Sequence, residues 1–251
     1  MNKDILMFEE LSLNALPALQ TQFYDGWVLR YTDGYGYTSR ANSVNLLYPS
    51  TLDPREKIKE CEKRYFAQGL PAIFKITDGT DTEMDKMLEL DGYEVLSPTY
   101  FMTSDLTAVK YTPGMIDMVC GINDEWLTDC FTLSHYEEDK KRAIAKQVFN
   151  NIKVTTLCGR IIKNSATIAC GLCIIERGCA GLFNIVVDES ERGKGYGREI
   201  CQSLLCEAQR LGAHTTYLQV VQENYVAIDL YTKMGYKTLY SYWYRVKKEK
   251  S

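Results

Sequence analysis

Long apolar runs are missing from this 251-residue chain. No segment reaches the ~18 uninterrupted apolar residues of a membrane-spanning helix. The opening MNKDILMFEE is too acidic and too poor in apolar residues for a secretory signal, so a cytoplasmic setting with no membrane partner is expected. Histidine is scarce: His135 and His214 stand without obvious partners, which leaves little ground for a histidine nucleophile or a metal mechanism. No second CxxC or HxxxH accompanies Cys170-Gly-Leu-Cys173, so no metal site is expected. That CxxC lies inside ATIACGLCIIE, which has strand character, and alternation there would send its two sulfurs to opposite faces. The nine cysteines, an odd number without a secretory signal, read as reduced thiols serving as small apolar core residues. An excess of positive charge is missing too. The formal net charge of −4 argues against a nucleic-acid partner. Neither the Walker pattern GxxxxGK[ST] nor the dinucleotide fingerprint G-x-G-x-x-G is present, and the motifs of a protein kinase are absent.

What is present is an ordinary globular composition, 45% hydrophobic and 25% charged, in a chain long enough for one large domain or two small ones. The C-terminal half is the more legible. A short strand is expected at 115–120. Helical spacing follows over 122–135 and 136–152. Segments 153–162 and 166–176 are rich in Ile, Val, Thr and Cys, and the break Lys163-Asn164-Ser165 between them makes a hairpin. A strand at 181–187 leads into a helix whose apolar stripe is Ile200, Leu204, Leu205, Ala208 and Leu211, stopped by Gly212. A strand (215–221), a helix (224–234) and an aromatic-rich strand (236–246) complete the order. The fold class expected is α/β, of the mixed α+β kind, with helices on both faces of mixed sheets and a parallel crossover over 181–221.

The N-terminal half echoes this ending. Shifted by 143 residues, Gly69 falls on Gly212, Gly92-Tyr93 on Gly235-Tyr236, Phe74 on Tyr217 and Leu96 on Leu239. Two related domains in tandem are expected, 1–110 and 111–251, with the break marked by Pro113-Gly114. The copies differ at one place. RGKGYG (192–197) lies over PSTLDP (49–54), and Tyr231 lies over Leu88.

The stretch ERGKGYGREI places Gly193, Gly195 and Gly197 between an apolar strand and a helix, with Arg192, Lys194 and Arg198 around them. The first turn of a helix carries unpaired N–H groups and the positive end of its dipole, and glycines let a phosphate approach the backbone. The pattern makes an anion site. It leaves open a nucleotide-phosphate ligand or a surface loop that is merely rich in glycine.

VVDESERGKGYGREI resembles the signature of the GNAT superfamily of N-acetyltransferases, Arg/Gln-x-x-Gly-x-Gly/Ala, with Arg192, Gly195 and Gly197 at the defined positions. QENYVAIDLYTKMGYK resembles a second part of that family: an Asn after a strand, a helix with Tyr seven residues on, then Gly-Tyr. The resemblance covers the C-terminal ~130 residues. It implies acetyl-CoA as co-substrate, held by the backbone of Ile185 and Val187, by Arg192, Gly193, Lys194, Gly195, Gly197 and Arg198, and by Asn224. It implies Tyr231 as the general acid for the departing thiolate, and a small-molecule or peptide amine as acceptor. Glu176, Asn184 and Glu223 are candidates for the base, which stays unassigned. The N-terminal half resembles the partner domain of two-domain acetyltransferases and, with Leu88 and no glycine loop, should be an inactive copy. Tyr35, Tyr37 and Arg40 are candidates to line an acceptor pocket. A CoA-binding regulatory module without turnover is the alternative reading. The sequence does not indicate oligomeric state.

Overall fold

The computed structural model describes residues 3–32, 38–78, 82–108 and 111–249, which fall into two compact units. The first unit comprises the chain up to Tyr100, with Val221–Glu223 and the chain from Tyr240 on. It contains α1 (Lys3–Ala15), β1 (Gln20–Tyr24), β2 (Trp27–Tyr31), β3 (Val44–Leu46), α2 (Pro54–Phe66), β4 (Ala72–Thr77), α3 (Thr82–Leu90) and the start of β5 (Glu94–Asp105). Its strand order is β1-β2-β3-β4, followed by β11 (Lys237–Lys247), the last strand of the chain. Alternation divides the side chains of this sheet between two faces. Trp27, Leu29, Tyr31, Val44, Phe74 and Ile76 form an apolar core with Ile58, Cys61 and Tyr65 of α2 and Met84 and Leu88 of α3. The opposite face, under α1, carries Arg30, Asn45 and Lys75, all buried.

The second unit comprises Phe101–Val220 and Asn224–Leu239. Its elements after β5 are β6 (Asp117–Cys120), α4 (Asp124–Leu133), α5 (Asp139–Asn150), β7 (Thr155–Lys163), β8 (Ala166–Glu176), β9 (Cys179–Val187), α6 (Tyr196–Arg210), β10 (Thr215–Val221) and α7 (Tyr225–Lys233). The strand order is β5-β10-β9-β8-β7-β6. β6 to β9 form an antiparallel meander, and β9 and β10 run parallel on either side of α6. Helices flank both faces. On one, Gly159 and Gly171 let α6 approach: a Cβ there would stand 3.3 and 2.9 Å from Leu204. On the other, buried Arg160 of β7 anchors α4 through Asp129 (2.7 Å) and Glu125 (2.9 Å), and also binds Asp117 of β6. Cys170 and Cys173 are both buried, and alternation along β8 sends them to opposite faces.

The endings of the two copies match at the 143-residue offset. α3 (Thr82–Leu90) and α7 (Tyr225–Lys233) coincide, as do the starts of β4 and β10 and of β5 and β11. The helix ends coincide in detail. Gly92 (φ +83°) and Gly235 (φ +92°) are both left-handed, and the amides of Tyr93 and Tyr236 bond the carbonyls of Leu88 and Tyr231, each at 3.0 Å. The sequence reading divides the chain at 1–110 and 111–251, whereas the packed units cut inside the last strand of each copy. Strand pairing is the reason. Tyr242–Lys247 of β11 pair antiparallel with Thr77–Ala72 of β4, which places the end of the chain in the first unit.

Candidate active site

The parallel ladder between β9 and β10 runs from Thr215↔Cys179 to Leu218↔Leu182. Both strands continue further, to Val187 and Val221. Beyond Leu182 no pairing joins them among the described residues, so the edge of β9 at Ile185 and Val187 has lost its neighbour on that side. A β-bulge coincides with this opening. The β8 register passes from Leu172↔Phe183 to Cys170↔Val186, so Asn184 and Ile185 face Gly171 alone. Asn184 has φ +50°, the left-handed region that Asn tolerates better than most residues, and its Nδ2 donates to Cys130 Sγ of α4 at 3.7 Å.

The glycine loop follows. Gly193 (φ +76°) and Gly195 (φ +92°) are left-handed, and a Cβ on either would meet no atom within 4 Å. Gly195 is the N-cap of α6 and supplies no side-chain cap, so the amides at this helix mouth lack the usual side-chain acceptor. Gly197 stands where β9, α6 and α7 meet: a Cβ there would be in ordinary contact with Leu230 of α7 (3.6 Å) and Val187 (3.7 Å), so packing does not require glycine at this position. The cations are exposed. Arg192 Nε donates to the Val187 carbonyl at 3.3 Å and pairs with Glu189 (3.3 Å); Lys194 pairs with Glu191 (3.1 Å). Hydrogen bonds from Lys194 and Lys163 hold the Glu191 carboxyl below its usual range. Exposed pairs of this kind contribute little stability and exchange readily. Arg198 is exposed in the first turn of α6.

Asn224 is the N-cap of α7, with Oδ1 accepting from the Ala227 amide at 3.1 Å. This leaves its amide nitrogen for other partners. Two turns on, Tyr231 is buried (8% exposed), edge-on to Tyr236 with ring centroids 5.8 Å apart. Burial pushes its hydroxyl well above the ordinary phenol range. No hydrogen bond engages that hydroxyl among the described residues.

A splayed parallel pair, a bulge at its mouth and an uncapped glycine turn opening a helix form one constellation. The family model described as "Probable histone acetyltransferase Rv0428c C-terminal" matches residues 3–245. The chain belongs to the GNAT superfamily of N-acetyltransferases. It is 27% identical over 254 residues to a protein of Bacillus subtilis (strain 168) described as "Uncharacterized N-acetyltransferase YobR", covering 98% of this chain and 99% of that one. Among solved structures it resembles a GCN5-related N-acetyltransferase from Kribbella flavida (TM-score 0.72, 13% identity, 98% and 96% of the two chains covered). It also resembles a tandem GNAT protein from the clavulanic acid biosynthesis pathway (TM-score 0.67, 12% identity, 100% and 97% covered). These two show the fold.

The first GNAT copy is closed where the second is open. Its β3 pairs with β4 at Asn45↔Lys75, and α2 is capped eight residues later by Asp53; in the second copy thirteen residues separate Leu182 from Gly195. The extra five include the unpaired end of β9 and the turn. The helix mouth of the first copy is filled by the protein's own carboxylates. Asp53 accepts from the Arg55 and Glu56 amides (2.9 and 3.2 Å), and Pro54 supplies no N–H. Asp25 accepts from the Thr51 and Leu52 amides (2.9 and 2.8 Å) and from the Ser50 and Thr51 hydroxyls. Lys57, fully buried, holds Asp25 at 3.1 Å. Leu88, at the position of Tyr231, is buried in the apolar core.

Sequence reasoning did not anticipate Asp25 and Asp53 in this part, although Asp53-Pro54 is a readable helix start. The base candidates separate. Asn184 stands at the bulge. Glu176 pairs with Cys179 at the far end of β9, five residues or roughly 16 Å from Asn184. Glu223 is exposed and belongs to the first packed unit. Tyr35 and Tyr37 lie outside the described residues; the Arg40 carbonyl accepts from Arg30. Among the described residues no group of His, Cys, Asp and Glu is arranged to hold a metal ion, and no helix is long and apolar enough to cross a membrane.

Proposed function

We propose that the second unit transfers an acetyl group from acetyl-CoA to a primary amine of a small molecule or peptide. The opening of β9 away from β10, directly ahead of an uncapped helix mouth, carries this reading. The diphosphate is held by the amides of residues 192–198, with Gly193, Gly195 and Gly197 permitting close approach, Arg192 and Lys194 exchanging their carboxylate partners for it, and the exposed Arg198 beside them. The pantetheine amides extend the free edge of β9 at Ile185 and Val187, as a short added strand would. The Asn224 amide nitrogen contacts the cofactor arm.

The neutral amine attacks the thioester carbonyl, the C–S bond breaks as the C–N bond forms, and the proton that nitrogen gives up finally neutralises the departing thiolate. Tyr231 meets that thiolate as an acid. Its raised pKa keeps it a phenol throughout the working pH range, so it is never a base. Against a thiol of pKa ~8.5, full proton transfer from such a phenol is uphill in water. Tyr231 therefore acts first as a hydrogen-bond donor to the developing charge on sulfur, in a buried setting where such a bond is strong. Release of CoA thiol in the presence of a panel of amines tests the proposal. Amine-dependent release supports it; CoA binding without release for any amine would make the protein a regulatory binder, and stabilisation by ATP or NAD but not CoA would make it a nucleotide binder.

A further inference from the structure

A carboxylate stands beside the turn read as the diphosphate site. Glu191 ends the single 3₁₀ turn Glu189–Glu191, which Asp188 caps by accepting from the Ser190 amide at 2.9 Å. Two residues later the left-handed glycines begin. The Glu191 side chain is 16% exposed, and cations from two elements engage it. Lys194, in the glycine turn, stands 3.1 Å from Oε2. Lys163, at the end of β7, donates to Oε1 at 3.2 Å and to Oε2 at 3.1 Å. The hairpin places Lys163 there. It pairs with Ala166 across the two-residue turn Asn164-Ser165, whose residues are both left-handed (φ +51° and +62°). The Asp188 amide bonds the Ile168 carbonyl of β8 at 2.8 Å and keeps the hairpin beside the turn. The Lys163 ammonium also lies 5.8 Å from the centre of the Tyr196 ring.

The side-chain charges of this stretch do not by themselves favour an anion. From Asp188 to Glu199 there are four acidic residues (Asp188, Glu189, Glu191 and Glu199) and three basic ones (Arg192, Lys194 and Arg198). When Lys194 turns to the diphosphate it leaves Glu191, and a bare carboxylate beside a diphosphate repels it. Lys163 stays on Glu191 through that exchange. We propose that Lys163 is a positioning residue for acetyl-CoA: it keeps the Glu191 carboxylate paired while Lys194 moves to the diphosphate. Without Lys163, Glu191 would hold Lys194 more tightly before binding and would stand unpaired after it. The inference rests on the reading of the glycine turn as the diphosphate site. It adds to the support of the cofactor a residue of the β7–β8 hairpin, which lies outside the glycine signature.

The test is calorimetric titration of the full chain with acetyl-CoA at low ionic strength, about 20 mM salt. Lys163→Met should weaken binding roughly threefold to fivefold, the range of one exposed charge pair, and the loss should shrink at about 0.5 M salt. Lys163→Arg, which keeps the charge, should bind as the wild type does. Glu191→Gln should bind at least as tightly as the wild type. In the Glu191→Gln background, removing Lys163 should have no further effect, because no carboxylate is left to hold. Wild-type affinity in Lys163→Met would overturn the proposal. An equal loss in both backgrounds would also overturn it, since Lys163 would then act on the diphosphate directly. A wild type that does not bind acetyl-CoA would remove the diphosphate reading and this inference with it.

Discussion

Tyr231 is a phenol that burial keeps protonated and that makes no hydrogen bond inside the protein among the described residues. Tyr231→Phe preserves the ring and removes only the donor. The expected outcome is a fall in kcat of about 10²-fold or more with acetyl-CoA affinity nearly unchanged, measured by steady-state thiol release beside calorimetric binding. Equal kcat would remove Tyr231 from the mechanism. Gly181 is a purely steric case. A Cβ there would lie 2.5 Å from the Tyr217 ring and 2.6 Å from that of Phe183, so Gly181→Ala should destabilise the chain by about 1–3 kcal/mol in denaturant unfolding. At this scale the sequence was informative where a residue has one job. Glycines in a basic turn announced the helix mouth. Asn184 was legible only as a polar residue, because its left-handed conformation depends on the bulge, which a linear pattern does not display.

α3 and α7 have the same length and the strands on either side of them start at matching positions, which is why one gapless offset aligned the endings of the two copies. The offset could not show the five-residue difference before the helix, since that depends on where the β3–β4 and β9–β10 ladders stop. Asp53 turns the corresponding helix mouth of the first copy into a self-capped start. Asp53→Ala should cost about 1 kcal/mol in thermal or denaturant unfolding. The last strand has its own fastening: Arg245 binds Asp85 of α3 through Nε (2.8 Å) and Nη2 (2.9 Å), and Trp243 Nε1 donates to the same carboxylate at 2.9 Å. The Arg245 bond holds the Asp85 carboxyl below its usual range, against the opposing effect of partial burial. A carboxyl whose pKa is depressed by folding stabilises above its unfolded pKa of about 4, and loses that contribution as pH falls through the folded value. The melting temperature of Asp85→Asn should therefore lie below that of the wild type by a constant margin above pH ~5. The margin should narrow on further acidification. A margin independent of pH would show that the carboxylate charge is not what fastens β11.

For the whole molecule, tandem organisation was legible from the repeat and from the contrast at RGKGYG. The packed division of the chain was not, because assigning Tyr242–Lys247 to the first unit requires knowing that they pair with β4. The two copies keep one scaffold and invert its chemistry. One helix start has no side-chain cap, at Gly195, and at the other Asp53 caps the helix while Asp25 accepts from the amides just before it. This predicts a binding stoichiometry that sequence similarity alone would not. Calorimetric titration of the full chain with acetyl-CoA should give one site per chain, and Gly195→Val should abolish it, because a β-branched residue is strained at φ +92° and its side chain enters the space left for phosphate. Two sites per chain, or one site that survives Gly195→Val undiminished, would contradict the assignment of the diphosphate to the mouth of α6.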